Sequence, residues 1–190
     1  MALPFISDQK YSKKDYRSVR LPKAEYEDCV FKGCNFEGGF LDNTHFLNCC
    51  FIDCNLSNVN LKQTMFKEVS FTGCKMIGVR MEDCNDFLLS FSMENCNLSY
   101  ASFREMSLRK MHFTECVFEA ADMTAADFSR SIFDKCILEK VHFEQTILDR
   151  ADLSTSTHLR LDPDRNSIRK AIFSNKQLVG LLEKHDIVIR

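Results

Sequence analysis

Ten cysteines and five histidines are the residues of this chain with the most chemistry to offer. Cys34, Cys54, Cys74, Cys96, Cys116 and Cys136 follow one another at steps of 20 residues, with a single step of 22 between Cys74 and Cys96. That spacing does not describe a metal site, since neither a Cys-x-x-Cys pair nor a His-Glu-x-x-His motif occurs. Thiols stacked at the ~4.8 Å step of a parallel ladder stand further apart than the ~3.8 Å Cβ separation that a disulfide prefers. The first residues point to a reducing compartment. Met1 to Ser7 is apolar, but Asp8 and Lys10 interrupt it before the core of an export signal could form. No run approaches the ~18 consecutive apolar residues of a membrane span. A cytoplasmic chain with reduced thiols and no membrane contact is expected. The thiols then read as core packing, with only Cys50 and Cys84 placed to react. His45, His112 and His142 each precede a phenylalanine, on the polar outside, without a serine or cysteine placed as catalytic partner. With only 6 glycines there is also no Gly-rich phosphate loop. The expectation is a protein that is not an enzyme, with no catalytic residue, no metal and no cofactor.

The elements that carry these residues are set by a five-residue period. Every fifth position from Tyr26 to Met81 is Tyr, Phe, Leu or Met; the register slips by two residues and resumes from Leu88 to Leu153. At 45% apolar background, so long an unbroken run has a chance of roughly one in 10⁹. A period of five fits neither the 3.6 of a helix nor the 2 of a strand. Two residues before each large apolar residue lies a second inward position, filled mainly by small residues such as Cys34, Thr44, Cys49, Ala101, Ala121 and Ala151. The other three positions are mostly polar. One large and one small inward residue per five describe a short straight side followed by a turn, and the cysteine step makes four sides one coil. The 22-residue cysteine step coincides with the register slip, which places a two-residue bulge within Glu82 to Phe87.

Stretches such as Cys54-Asn55-Leu56, Cys96-Asn97-Leu98, Ala126-Asp127-Phe128 and Ala151-Asp152-Leu153 resemble the repeat of the pentapeptide-repeat family. The resemblance spans Tyr16 to Leu153. It implies an all-β fold, a right-handed quadrilateral β-helix with 20 residues per coil and about seven coils. The expected organisation is an N-terminal cap or basic arm over 1–15, the β-helix over 16–157, and a C-terminal helix and strand over 158–190. In that last segment Ser174-x-x-Gln177 reads as a capping box, Leu178, Leu181 and Leu182 as the apolar stripe of a short helix, and Ile187, Val188 and Ile189 as a short strand. Leu161-Asp162-Pro163 and this ending resemble the tails of the Qnr-type quinolone-resistance and microcin-immunity proteins. In those families the tail forms a homodimer, which makes Leu178, Leu181, Leu182, Ile187, Val188 and Ile189 the candidate dimer interface. The alternative is a monomer whose tail lids the last coil.

The net charge of −2 hides an uneven distribution. Residues 1–24 carry +4, residues 25–127 carry −8 and residues 128–190 carry +2. The Qnr and microcin-immunity resemblance implies a partner, a bacterial type II topoisomerase (DNA gyrase or topoisomerase IV), bound partly by mimicry of DNA and protected from a quinolone or peptide toxin. Duplex DNA carries about one charge per 1.7 Å, and the acidic zone supplies about half of that density. Qnr-type proteins of Gram-negative bacteria project sizeable loops, whereas this sequence has only the bulge. The candidate partner contact is Glu82, Asp83, Asn85, Asp86 and Phe87 at the bulge, with Glu37, Asp42 and Asp53 on the acidic coils. No direct nucleic-acid binding is expected. The alternative is an interaction scaffold with no topoisomerase role.

Overall fold

The five-residue period becomes a backbone that turns once per repeat. Nearly every fifth residue of the coils occupies the left-handed region, as in Asp28 (φ 53°), Gly33 (61°), Gly38 (61°), Asn43 (54°) and Asn48 (48°). In a computed structural model that describes residues 3–185 and 187–188, this one residue in five makes each corner. Its predecessor by two is the large inward residue and its successor is the small one. At many corners the turn closes with a backbone bond, as from Thr44 N to Leu41 O at 3.2 Å or Ala121 N to Phe118 O at 3.0 Å. With positive φ at the third position, these match a type II turn.

The chain divides into two compact units, Met1–Leu98 and Ser99–Arg190. The first holds β1 (Phe5–Ser7), β2 (Lys10–Ser12), β3 (Glu25–Glu27), β4 (Val30–Lys32), β5 (His45–Leu47), β6 (Cys50–Ile52), β7 (Met65–Lys67), β8 (Val69–Thr72) and β9 (Phe91–Glu94). β1, β3, β5 and β7 pair in parallel on one side, with Tyr26 opposite Phe46 and Phe46 opposite Phe66. On the next side β2, β4, β6, β8 and β9 pair likewise, and the last step sets Val69 against Phe91 and Phe71 against Met93. The second unit holds β10 (His112–Thr114) and β11 (Ile132–Asp134), paired with Phe113 opposite Phe133, and α1 (Leu178–Leu182). Its other sides meet through single bridges such as Asp122↔His142 and Val117↔Ile137. The molecule is a parallel β-solenoid with one short C-terminal α-helix.

The large inward residues fill the core. In the first unit Tyr11, Phe31, Phe51 and Phe71 stack at centroid distances of 4.7, 4.8 and 5.2 Å, and Tyr26, Phe46 and Phe66 at 5.5 and 5.6 Å. In the second, Phe113 stacks on Phe133 at 5.1 Å. Every large position of the repeat is buried except one. Leu88 was expected inward above Phe66, yet it stands exposed at positive φ. Asn85 still follows the 20-residue step, donating to Thr64 O as Met65 does to Thr44 O, while Phe91 follows the 22-residue step. The insertion therefore sits in 86–90 rather than within 82–87. Ser90 N takes the carbonyl of Phe66, and Phe91 is buried edge-on to Phe71 at 6.4 Å. Chain closure favours turning out one loop around those anchors over a small bulge.

The ladder also reaches beyond its expected limits. β1 pairs with β3, so the first coil begins at Phe5 and not at Tyr16. At the other end Ile147↔Ser167 and Asp152↔Ile172 carry the pairing past Leu153. Lys14 occupies an inward slot of the repeat but is exposed. The expected terminal strand is not formed by Ile187 and Val188, which belong to no strand, and Ile189 lies outside the described residues.

Candidate interaction surfaces

The acidic candidates fall at three corners of the first unit. Glu82 and Asp83 lie in a 3-10 turn, Met81–Asp83, that replaces an open left-handed corner. Both carboxylates meet Arg80 Nε, at 3.4 and 3.5 Å. Asn85 and Asp86 begin the inserted loop, which bonds to itself: Phe87 N donates to Asn85 Oδ1 at 2.8 Å and Leu89 N to Asp86 O at 3.2 Å. These bonds hold Phe87 and Leu88 outward, 64% and 55% exposed, as an apolar knob beside Asp86. Asp42 shares the outward ladder of Glu82, with Lys62 between them. A polar groove of about 690 Å³ lies there, lined by Lys62, Gln63, Arg80, Glu82 and Asp83.

Asp42 is the most neutralised candidate, held by Arg20 and by Lys23 at 3.0 Å, while Arg20 also lies 5.1 Å over the Phe40 ring. Glu37 stands at a second corner, accepting from Asn55 Nδ2 at 3.2 Å, and Asp53 at a third. The fold thus gathers Glu82, Asp83, Asn85, Asp86 and Phe87, aligns Asp42 with them, and separates Glu37 and Asp53. Sequence reasoning missed two features. Leu88 joins the knob instead of the core. Asp8, Asp28 and Glu68 share one exposed corner, a ladder legible in the 20-residue spacing of Asp8 and Asp28.

A buried glutamine ties the C-terminal segment to the last coil. Gln177 Oε1 accepts from Ser174 N at 2.7 Å, closing the capping box, while its Nε2 donates to Leu153 O and Ser156 O at 2.6 and 2.8 Å. Gly180 lets the helix approach so closely that an added Cβ would stand 2.0 Å from Leu159 O. Leu181 is buried against its own chain, whereas Leu178, Leu182, Ile187 and Val188 remain exposed, with Val179 beside them. Of these, Val179, Leu182 and Ile187 line a groove of about 1110 Å³. Lys184 pairs with Asp162 at 2.6 Å and also with Asp164; the first contact in particular holds the Asp162 carboxyl below its ordinary range.

Among the described residues, no group of three or more His, Cys, Asp or Glu is arranged to hold a metal, and no helix is long and apolar enough to cross a membrane. His45 lies 3.8 Å from Glu25, and His112 and His142 are exposed, so each histidine points away from the core. Cys84 is buried rather than reactive. It continues the inward ladder of Thr44 and Thr64, and burial raises its thiol, reinforced by the charges of Asp83 and Glu82.

A family model described as the pentapeptide repeat region matches residues 24–91 and 66–143, more than half of the chain. The chain is a pentapeptide-repeat protein. Its solenoid is similar to that of QnrB1, a plasmid-mediated fluoroquinolone resistance protein. A trypsin-treated variant of QnrB1 aligns at a TM-score of 0.65 and 21% identity, covering 100% of this chain and 99% of that one. Full-length QnrB1 aligns at a TM-score of 0.55 and 22% identity, covering 96% and 100%. HetL of Nostoc sp. strain PCC 7120, a pentapeptide-repeat protein involved in heterocyst differentiation regulation, aligns at 0.43 and 15% identity over 92% and 86%. A search of curated protein sequences finds no significant match. At these identities the likeness establishes the pentapeptide-repeat fold.

Proposed function

We propose that this pentapeptide-repeat protein binds a bacterial type II topoisomerase, DNA gyrase or topoisomerase IV, and protects it from a quinolone or a peptide toxin. The observation that carries this reading is the likeness to QnrB1 over the whole length of both chains. The contact centres on the loop after Glu82 and Asp83, where Phe87 and Leu88 offer an apolar anchor beside Asp86; such a buried aromatic anchor dominates interface energetics. Glu37, Asp42 and Asp53 contribute a weaker electrostatic fringe. Because Asp42, Glu82 and Asp83 have cations beside them, docking through the loop is favoured over full mimicry of DNA. The same pairing favours the second reading, a scaffold for another protein partner without a topoisomerase role.

The protein acts without catalysis, in the cytoplasm, as a homodimer joined through Leu178, Leu182, Ile187 and Val188, with Leu181 anchoring the helix to its own coil. The experiment is a gyrase supercoiling assay with and without a quinolone. Rescue of supercoiling by the wild type, lost with Phe87→Ala plus Leu88→Ala at unchanged folding, is the expected result. No rescue, no inhibition and no binding would overturn the topoisomerase reading and leave the scaffold.

A further inference from the structure

One corner of the second unit is a line of cations. Lys110, Arg130, Arg150 and Lys170 succeed one another at 20-residue steps, all exposed and all at positive φ, between 59° and 62°. The corner is braced coil to coil: Lys110 N donates to Ser129 O at 3.0 Å, Arg130 N to Asp149 O at 2.9 Å and Arg150 N to Arg169 O at 2.8 Å. Arg109 and Arg169, next in sequence, are neutralised by Asp127 and Asp149 at 2.5 and 3.0 Å. Among the described residues the four corner cations have no carboxylate partner. Left-handed positions favour Gly or Asn, so Lys and Arg at four successive ones bring charge without helping the turn.

The occupant must present anions along a line at the ~4.8 Å coil step. Same-face side chains of an extended peptide repeat at about 6.7 Å and drift out of register. Duplex DNA spaces its charges about 3.4 Å apart along each strand, which drifts out of register with the coil step. Another solenoid of the same repeat has the matching step. The first unit of this chain carries the complementary sign at the corresponding corner of its coils through Asp8, Asp28 and Glu68, with the neutral Asn48 between them, all exposed; Asp28 N donates to Leu47 O at 3.1 Å and Glu68 N to Ser90 Oγ at 2.8 Å.

We infer that the basic corner of one copy docks side by side on the acidic corner of a second copy, coil against coil. This contact is independent of the topoisomerase reading and of the apolar C-terminal patch.

The test is mass by sedimentation equilibrium in about 0.01 M and about 1 M salt, where charges are screened beyond roughly 30 Å and 3 Å. The wild type is expected to form larger species at low salt and lose them at high salt; an apolar tail dimer persists in both. Arg130→Glu with Arg150→Glu, and separately Asp28→Lys with Glu68→Lys, should each lose the low-salt species while keeping the wild-type melting curve. Mixing the two variants should restore a pair, because the intact acidic corner of the first meets the intact basic corner of the second. A chain carrying all four reversals should self-associate again. Salt-independent mass, or a mixture that stays unassociated, overturns the inference. So does a duplex oligonucleotide that binds the wild type and not the arginine variant in the absence of self-association, which would assign the corner to nucleic acid.

Discussion

The small inward residue does more than fill space. Cys54 Sγ donates to Phe31 O at 3.2 Å and Cys74 Sγ to Phe51 O at 3.3 Å, and where the residue is a hydroxyl the same bond recurs. Thr64, Ser131, Thr146 and Ser156 donate to the carbonyls of Leu41, Leu108, Met123 and Phe133 at 2.9, 2.8, 2.8 and 2.7 Å. Each acceptor belongs to the large inward residue one coil back, so the slot ties successive coils together; the Leu41 and Met123 carbonyls also accept the turn-closing N–H of Thr44 and Ala126. Cysteine suits the slot because it is small, apolar and still a weak donor. Burial pushes the Cys49 thiol up to about 12, which leaves almost no nucleophilic thiolate at neutral pH. A thiol reagent should therefore label Cys50 in the native protein and all ten cysteines in denaturant. Rapid native labelling of several thiols would contradict this ladder.

Carboxylates in the second unit act locally as well. Burial raises the Asp122 and Asp127 carboxyls, but hydrogen bonds from Thr124 and Ser129 and the guanidiniums of Arg104 and Arg109 outweigh it, so both end below their ordinary range. The Ser167 hydroxyl, with Arg169, does the same for Asp149. A depressed folded-state value means stability that is full above the unfolded pKa of about 3.9 and is lost as pH falls through the folded value. Melting temperature should hold from neutral pH down to about 5 and drop below about 4. Asp122→Asn plus Asp127→Asn should flatten that drop.

At the level of elements, the stacked rings and the corners carry the stability. Phe51 and Phe113 are fully buried, and each Phe→Ala change should cost about 3–5 kcal/mol in chemical denaturation, since a stack cannot close over the gap. Corners differ between the units. The first fills them largely with Gly, Asn and Asp, whereas the second places Ala120, Ala125 and Tyr100 at φ of 53°, 56° and 59°. A Cβ in that region costs roughly 1–2 kcal/mol, and glycine's larger unfolded entropy returns part of it. Ala120→Gly and Ala125→Gly should each stabilise by about 0.5–1 kcal/mol, while Asn58→Ala should destabilise. The C-terminal helix depends on Gln177. Gln177→Leu removes both bonds and leaves the Ser156 carbonyl without its side-chain donor, while Leu153 O keeps the N–H of Ser156, and should cost about 1–3 kcal/mol. Limited proteolysis near Leu178 would report the release.

For the whole molecule, the decisive quantity is how charge and apolar surface are distributed, and the net −2 conceals it. If the exposed tail residues join two copies, light scattering should give twice 22.0 kDa at high salt, and Leu178→Glu with Leu182→Glu should return it to 22.0 kDa. A wild-type mass of 22.0 kDa under those conditions would reduce the tail to a lid.

The solenoid was legible because its period is local. Each repeat makes the same corner, so Tyr26 to Met81 and Met93 to Leu153 could be assigned inward by counting alone. The cysteine step revealed the coil length because a parallel ladder repeats the same slot every turn. Counting failed where the path is a compromise among contacts distant in sequence. Leu88 kept the register yet turned outward, because Ser90 and Phe91 took the anchoring contacts at Phe66 and Phe71. Cys84 looked exposed for the same reason. The first coil was missed because its repeat is degenerate, and only pairing with Glu25–Glu27 orders Phe5–Ser7. The candidate acids were legible as charges but not as a surface. Whether Asp42 is free or neutralised depends on Arg20 and Lys23, one coil away, and chain position does not encode the reach of a side chain. Sequence alone thus determined the period, the coil and the core, whose forces act between neighbouring repeats. Only the tertiary structure decided which corner each charge shares and which apolar residues face outward, because those follow from contacts between coils.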